Sequence, residues 1–116
     1  MYNLGNAYYM INRFEEAIRV YVKALEINEK SAECHFNLAS AYNDLGDHQR
    51  ALAHYMRSLE LDEGNIDAYI CLGGVLENMK AGNEKAERYY RMALEKEPGN
   101  QRAIEALKKL KSGNKK

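Results

Sequence analysis

The chain has 116 residues, 46% apolar and 29% charged, the composition of one soluble domain that buries about two thirds of its unfolded surface. Seventeen basic residues cancel seventeen acidic ones, so there is no excess positive charge to draw in nucleic acid or an anionic membrane surface, and neither is expected as a partner. No apolar run approaches the roughly 18 residues that span a bilayer, and the start lacks the zones of a signal peptide. Cys34 and Cys71 have neither disulfide-framework nor zinc-ligand spacing, which points to an intracellular, reducing compartment with the cytoplasm as the simplest case.

One proline and eight glycines, with Ala, Leu, Glu, Lys and Met abundant, predict an all-α chain. The first apolar stripe of helical spacing is Leu4, Ala7, Tyr8, Ile11, and after a break the second is Ala17, Ile18, Tyr21, Ala24, Leu25. A second pair follows: Leu38, Ala41, Tyr42, Leu45, then Ala51, Leu52, Tyr55, Leu59, parted by Gly46-Asp47, a helix stop followed by a start. The third pair is Tyr69, Leu72, Leu76 and Ala86, Tyr90, Ala93, Leu94. Offset by 34 residues, the chain matches itself at Asn3/Asn37, Leu4/Leu38, Ala7/Ala41, Tyr8/Tyr42, Ala17/Ala51, Tyr21/Tyr55 and Leu25/Leu59, a period that signals stacked helical hairpins. The expected limits are repeat 1 over about 1–31, truncated at its start, repeat 2 over about 32–65 and repeat 3 over about 66–100. The stripe Ala103, Ile104, Leu107, Leu110, polar on its other side, predicts a capping helix over 101–111 that completes a single domain, 1–111, with 112–116 a flexible tail.

These motifs resemble the tetratricopeptide repeat. Leu4-Gly5-x-x-Tyr8 with Ala17-x-x-x-Tyr21, Leu38-Ala39-x-x-Tyr42 with Ala51-x-x-x-Tyr55, and Leu72-Gly73-x-x-Leu76 with Ala86-x-x-x-Tyr90 and Pro98 follow its pattern, and its tryptophan slot holds Met1, His35 and Tyr69. The resemblance implies a right-handed α-solenoid of antiparallel helical hairpins. Small residues at Gly5, Ala39, Gly73, Ala24 and Ala93 suit the close approach of paired helices. Two departures stand out. The third hairpin is one residue longer and contains Lys80-Ala81-Gly82-Asn83, which should bulge, and the closing proline is replaced by Glu29 and Glu63 in the first two repeats.

Residues for chemistry are few. His35, His48 and His54 fall in three helical phases and read as ordinary half-buried or surface histidines, Gly73-Gly74 reads as helix packing, and Glu15-Glu16 and Asp62-Glu63 as surface or turn carboxylates. No catalytic residue, metal site or cofactor is expected, and the chain is read as no enzyme.

For the resembled family, the first helix of each hairpin lines a concave groove. The inward positions are Tyr2, Asn3, Asn6, Tyr9 and Met10, then Glu33, Phe36, Asn37, Ser40, Asn43 and Asp44, then Asp67, Ile70, Cys71, Gly74, Glu77 and Asn78. Exposed Tyr2, Phe36 and Ile70 would anchor apolar side chains, and the amides would pair with a peptide backbone. The function implied is a noncatalytic scaffold that binds a peptide segment of another protein. Some relatives clamp acidic chaperone tails with two lysines, an arginine and two asparagines. Asn6 and Asn37 match the asparagines, but Tyr2 and Asp67 replace the lysines and Cys71 the arginine, so that mode is not expected. Glu33, Asp44, Asp67 and Glu77 suggest instead a ligand with basic and apolar residues. Asn3 and Asn37 share the slot of the asparagine ladder in O-GlcNAc transferases and some motor adaptors, a ladder that Cys71 breaks. Such a recruiting arm, or a structural spacer or self-assembling segment of a large complex, is the alternative. Because unit one begins three residues before Leu4, Met1, Leu4, Ala7 and Ile11 form an uncapped apolar end, from which self-association or a longer array is expected.

Overall fold

The structure, a computed structural model, describes residues 2–79 and 83–114, with side chains over 4–79 and 83–112. All its regular structure is helical: α1 (Tyr2–Met10), α2 (Phe14–Ile27), α3 (Ala32–Asp44), α4 (His48–Leu61), α5 (Ile66–Met79), α6 (Asn83–Lys96) and α7 (Gln101–Asn114). The chain divides into two compact units, Met1–Glu63 and Gly64–Lys116.

In the first unit α1 packs on α2, α2 on α3 and α3 on α4. The first helix of each hairpin, α1 and α3, stops where the backbone turns left-handed. Asn12 at φ 63° follows α1, and 34 residues later Gly46 at φ 88° follows α3; at both, the next residue's N–H returns to a tyrosine carbonyl, Arg13 to Tyr8 at 2.9 Å and Asp47 to Tyr42 at 2.9 Å. Asparagine, after glycine, is the residue that reaches this conformation most readily. The starts of α3 and α4 are capped by side chains: Ser31 accepts from the Cys34 N–H at 3.2 Å and Asp47 from the Arg50 N–H at 3.2 Å. The core joins Ala17 and Tyr21 of α2 to Cys34 and Leu38 of α3, with Tyr8, Ile18, Leu25 and Tyr42 packed around them. At Gly5 the Tyr21 ring lies so close that a Cβ would stand 2.6 Å from it. Buried Ser58 donates to the Ala32 carbonyl at 2.9 Å, so its hydroxyl is satisfied.

In the second unit α5 and α6 form a hairpin and α7 packs on both. Tyr69, Leu72, Val75, Leu76, Ala86, Tyr90, Ala93, Ala103 and Leu110 are buried. Asn65 and Asn100 cap α5 and α7, accepting from Ala68 at 3.2 Å and Ala103 at 3.0 Å. The α7 helix runs to Asn114, past the limit at Lys111, so residues 112–114 are not tail. No proline interrupts the ladder there, and the glycine at 113 lowers helix propensity without ending the i to i−4 bonding. The bulge expected at Lys80–Asn83 lies, but for Asn83, outside the described residues.

Candidate functional site

Several side chains expected on an inward row of α1 and α3 are bonded to one another or to a tyrosine of the following helix. Tyr21 of α2 passes behind α1 and donates its hydroxyl to Asn6 Oδ1. The same oxygen accepts from Asn37 Nδ2 at 3.3 Å, joining α1 to α3, and Tyr9 donates to Asp44 at 2.5 Å. One repeat on, Tyr55 of α4 meets Ser40 at 2.7 Å, and Phe36 packs edge-on against the Tyr55 ring with centroids 5.4 Å apart. Phe36, Asn37 and Ser40 are half-buried, while Glu33 and Asp44 are exposed. Tyr2 and Asn3 belong to α1, but their side chains lie outside the described residues.

In the second unit the tyrosine of the same register behaves differently. Tyr90 donates to Glu77, because the position 34 residues after Ser40 is Gly74, which has no side chain to receive it. Burial first, and then the Glu77 carboxylate it binds, hold the Tyr90 phenol above its ordinary pKa. Gly73, like Gly5, is a point of close approach to the tyrosine ring, whereas Gly74 faces open space. Asp67 pairs with Arg102 of α7 at 2.9 Å, and Cys71 is half-buried. Ile70, expected in an exposed row with Phe36, is only 8% exposed. It sits in the lining of a cleft of about 320 Å³ with Glu77, Tyr90, Arg102, Glu105 and Lys109. The face of α7 expected merely to shield the end thus contributes Arg102, Glu105 and Lys109 to a cleft. Helical periodicity marked these residues as polar but could not say what they would stand beside.

Two histidines come together that periodicity had set apart. His35 Nδ1 lies 3.0 Å from His54 Nδ1, with ring centroids 5.3 Å apart and planes 24° from parallel. A centroid spacing that long at so short an N···N distance means the rings meet edge to edge. His35 Nε2 lies 3.0 Å from the Glu29 carbonyl; a carbonyl only accepts, so His35 carries its proton there and turns a bare Nδ1 to the Nδ1–H of His54. Burial and then the neighbouring His35 lower the His54 pKa. Among the described residues no three His, Cys, Asp or Glu side chains gather as a metal site. Burial pushes the Cys34 thiol up to about 11, the condition of an inert packing residue.

Two family descriptions match the chain: "TPR repeat" over residues 5–46 and "Tetratricopeptide repeat" over residues 32–65, together more than half of its length. The chain belongs to the tetratricopeptide-repeat family. The seven helices among the described residues are three repeats and a final helix, and the all-α fold is that of tetratricopeptide solenoids. The first tetratricopeptide domain of Spaghetti (RPAP3), bound to the HSP90 peptide SRMEEVD, matches with a TM-score of 0.93 at 26% identity over 99% of this chain and 90% of that one. The Arabidopsis OM64 domain matches at 0.92 and 29% over 97% and 93%. The second tetratricopeptide domain of human RPAP3, in complex with the HSP70 peptide SGPTIEEVD, matches at 0.88 and 26% over 94% and 90%. A comparison with curated protein sequences finds no match. Tetratricopeptide domains are as a class protein-interaction modules, and among the described residues no helix is long and apolar enough to cross a membrane.

Proposed function

We propose that this chain is a noncatalytic scaffold that holds a peptide segment of another protein against the inner faces of its first helices, with no cofactor. The observation that carries this reading is the bonded row Tyr21–Asn6–Asn37 beside the Phe36–Tyr55 aromatic pair. Side chains already held in place lose little freedom when a ligand arrives, and an aromatic ledge next to fixed amides suits a backbone with an apolar side chain.

The two RPAP3 domains bind the HSP90 peptide SRMEEVD and the HSP70 peptide SGPTIEEVD, each with three acidic side chains. This chain has Asp67 and Cys71 where a clamp of that kind has cations, and Glu33, Asp44 and Glu77 add negative charge. The ligand we infer carries Lys or Arg among apolar residues, and the setting is intracellular. The proposed contacts are Tyr2, Asn3, Asn6, Tyr9, Glu33, Phe36, Asn37, Ser40 and Asp44 in the first unit and Asp67, Ile70, Cys71 and Glu77 in the second.

Selection from a displayed random peptide library tests both parts. Enriched peptides should be basic and apolar, and Phe36→Ala with Asn37→Ala should abolish their binding while the circular dichroism spectrum stays unchanged. Binding that survives the double substitution refutes the inner face as the site. Saturable binding of SRMEEVD at least as tight as that of the selected peptides refutes the ligand chemistry.

A further inference from the structure

The second hairpin aims two ring nitrogens at each other along one line. His35 of α3 and His54 of α4 bring their Nδ1 atoms to 3.0 Å, and the 5.3 Å between ring centroids is as long as that contact permits, with the planes 24° from parallel. Each ring is set by a partner of its own. His35 Nε2 gives its proton to the Glu29 carbonyl at 3.0 Å, and His54 lies flat against Tyr42, with planes 15° apart and centroids at 5.7 Å. A backbone carbonyl on the far nitrogen is the support that metal-bound imidazoles receive, because it fixes the tautomer and raises the basicity of the nitrogen left bare. The fold also favours a neutral His54, lowering its pKa through burial and then through His35, and only a neutral ring offers a cation its lone pair. The guanidinium of Arg50 lies over Tyr42, but Asp47 answers it at 3.0 Å.

We propose that His35 Nδ1 and His54 Nδ1 form a linear, two-coordinate site for a soft monovalent cation, Cu(I). Two observations choose the ion. Nitrogens facing each other on one line suit a closed-shell monovalent ion that takes two ligands end to end, and imidazole is among the ligands copper accepts. Zinc calls for four ligands in a tetrahedron, and among the described residues no third His, Cys, Asp or Glu gathers with the pair. Metal–imidazole bonds are about 2 Å long, so nitrogens on opposite sides of the ion stand about 4 Å apart and the pair opens by about 1 Å. Half-buried His54 supplies the opening by sliding along the Tyr42 face, while His35, only 8% exposed, keeps the Glu29 carbonyl. The His54 proton passes from Nδ1 to Nε2; the ring stays neutral, no proton is released and copper keeps its oxidation state. Protein fills both positions of the ion, so the site clasps α3 to α4 and performs no reaction.

The probe is Cu(I) itself, added to the full chain under argon as its acetonitrile complex. One equivalent should raise the melting temperature. Long-range ¹H–¹⁵N spectra should show both Nδ1 resonances of the pair shifting and the His54 proton transferred to Nε2, while the ring of His48, bonded to Asn43 at 2.8 Å, stays unchanged. Zn(II) should bind at least tenfold more weakly. His54→Gln keeps a hydrogen-bond donor for His35 without a second imidazole and should weaken Cu(I) binding at least tenfold, as should His54→Val. Cys71→Ser should leave the binding as it is, and the Cys34 thiol is buried with its pKa pushed up to about 11, which keeps it protonated. Cu(I) binding that survives in His54→Gln, that Cys71→Ser abolishes or that Zn(II) equals would overturn the site. So would a melting temperature and ring spectrum indifferent to one equivalent of Cu(I).

Discussion

The helices α1 and α3 carry nearly the same apolar residues in the same register and meet opposite fates. Leu38 and Ala41 are sealed, while Leu4 and Ala7 face solvent. A repeated stripe states which side of a helix is fit to be buried; whether it is buried depends on the neighbour laid over it. The comparison is sharpest in stability. Leu38→Ala should cost about 3 kcal/mol, the loss of a buried leucine plus the cavity it leaves, and Leu4→Ala less than about 1 kcal/mol. Urea unfolding of the two variants checks the pair, and equal losses would mean that α1 is covered in solution.

The stops after the same two helices offer the next test. Gly46 and Asn12 hold the same left-handed turn, and a Cβ is costly there. Gly46→Ala should lose about 1–2 kcal/mol through backbone strain alone, since nothing lies within 4 Å of the added methyl. Asn12→Gly should be neutral or gain a few tenths of a kcal/mol. A similar loss at both sites in thermal melts would show that the Asn12 side chain, and not its backbone, secures the first turn.

Adjacent glycines in α5 should respond with opposite signs. Gly73 lies against the buried Tyr90 ring and Gly74 against open space. Ala39, fully buried, shows that a methyl fits the Gly73 slot once a neighbour yields, so Gly73→Ala should lose about 1 kcal/mol as overpacking outweighs helix propensity. Gly74→Ala should gain about 0.5 kcal/mol, because it removes backbone freedom from the unfolded chain and meets no atom. Matching denaturation midpoints for the two variants would contradict the close approach at Tyr90.

Much of this architecture could be read from one chain. The 34-residue offset and paired stripes located the hairpins, and Gly46-Asp47 supplied the stop and start read from it. What stayed hidden concerns reach between helices. A period of 3.6 places Ile70 on an inward row but cannot tell that this row turns into the wall of a cleft with Arg102 and Lys109. Nor does it tell that Tyr21 and Tyr90 spend their hydroxyls on Asn6 and Glu77. His35 and His54 are 19 positions apart and in different phases of different helices; only the hairpin's closing angle aims one ring nitrogen at the other. Pairings of that kind depend on the distance between helix axes, which no residue count contains.

The histidine pair yields the smallest effect and a distinctive one, since repeat 1 has Val20 at the position of His54 and nothing to titrate there. With His35 donating to the Glu29 carbonyl and accepting from His54, the pair can take one further proton, on His54 Nε2, without losing a hydrogen bond. A second would set two N–H groups against each other across 3.0 Å. In the unfolded chain the His54 ring protonates freely near 6.5. Burial and His35 lower the His54 pKa in the fold, so the unfolded state binds more protons in acid. Stability is therefore full above pH 6.5 and falls as the pH drops through the lowered value, the sign for a base whose charged form the fold disfavours. Between pH 7.5 and 5 the melting temperature should fall, and His54→Val, which copies repeat 1, should flatten that part of the profile while costing some stability at pH 7.5. A decline just as steep in His54→Val would assign the acid sensitivity to other groups and leave the edge-to-edge pair without thermodynamic weight.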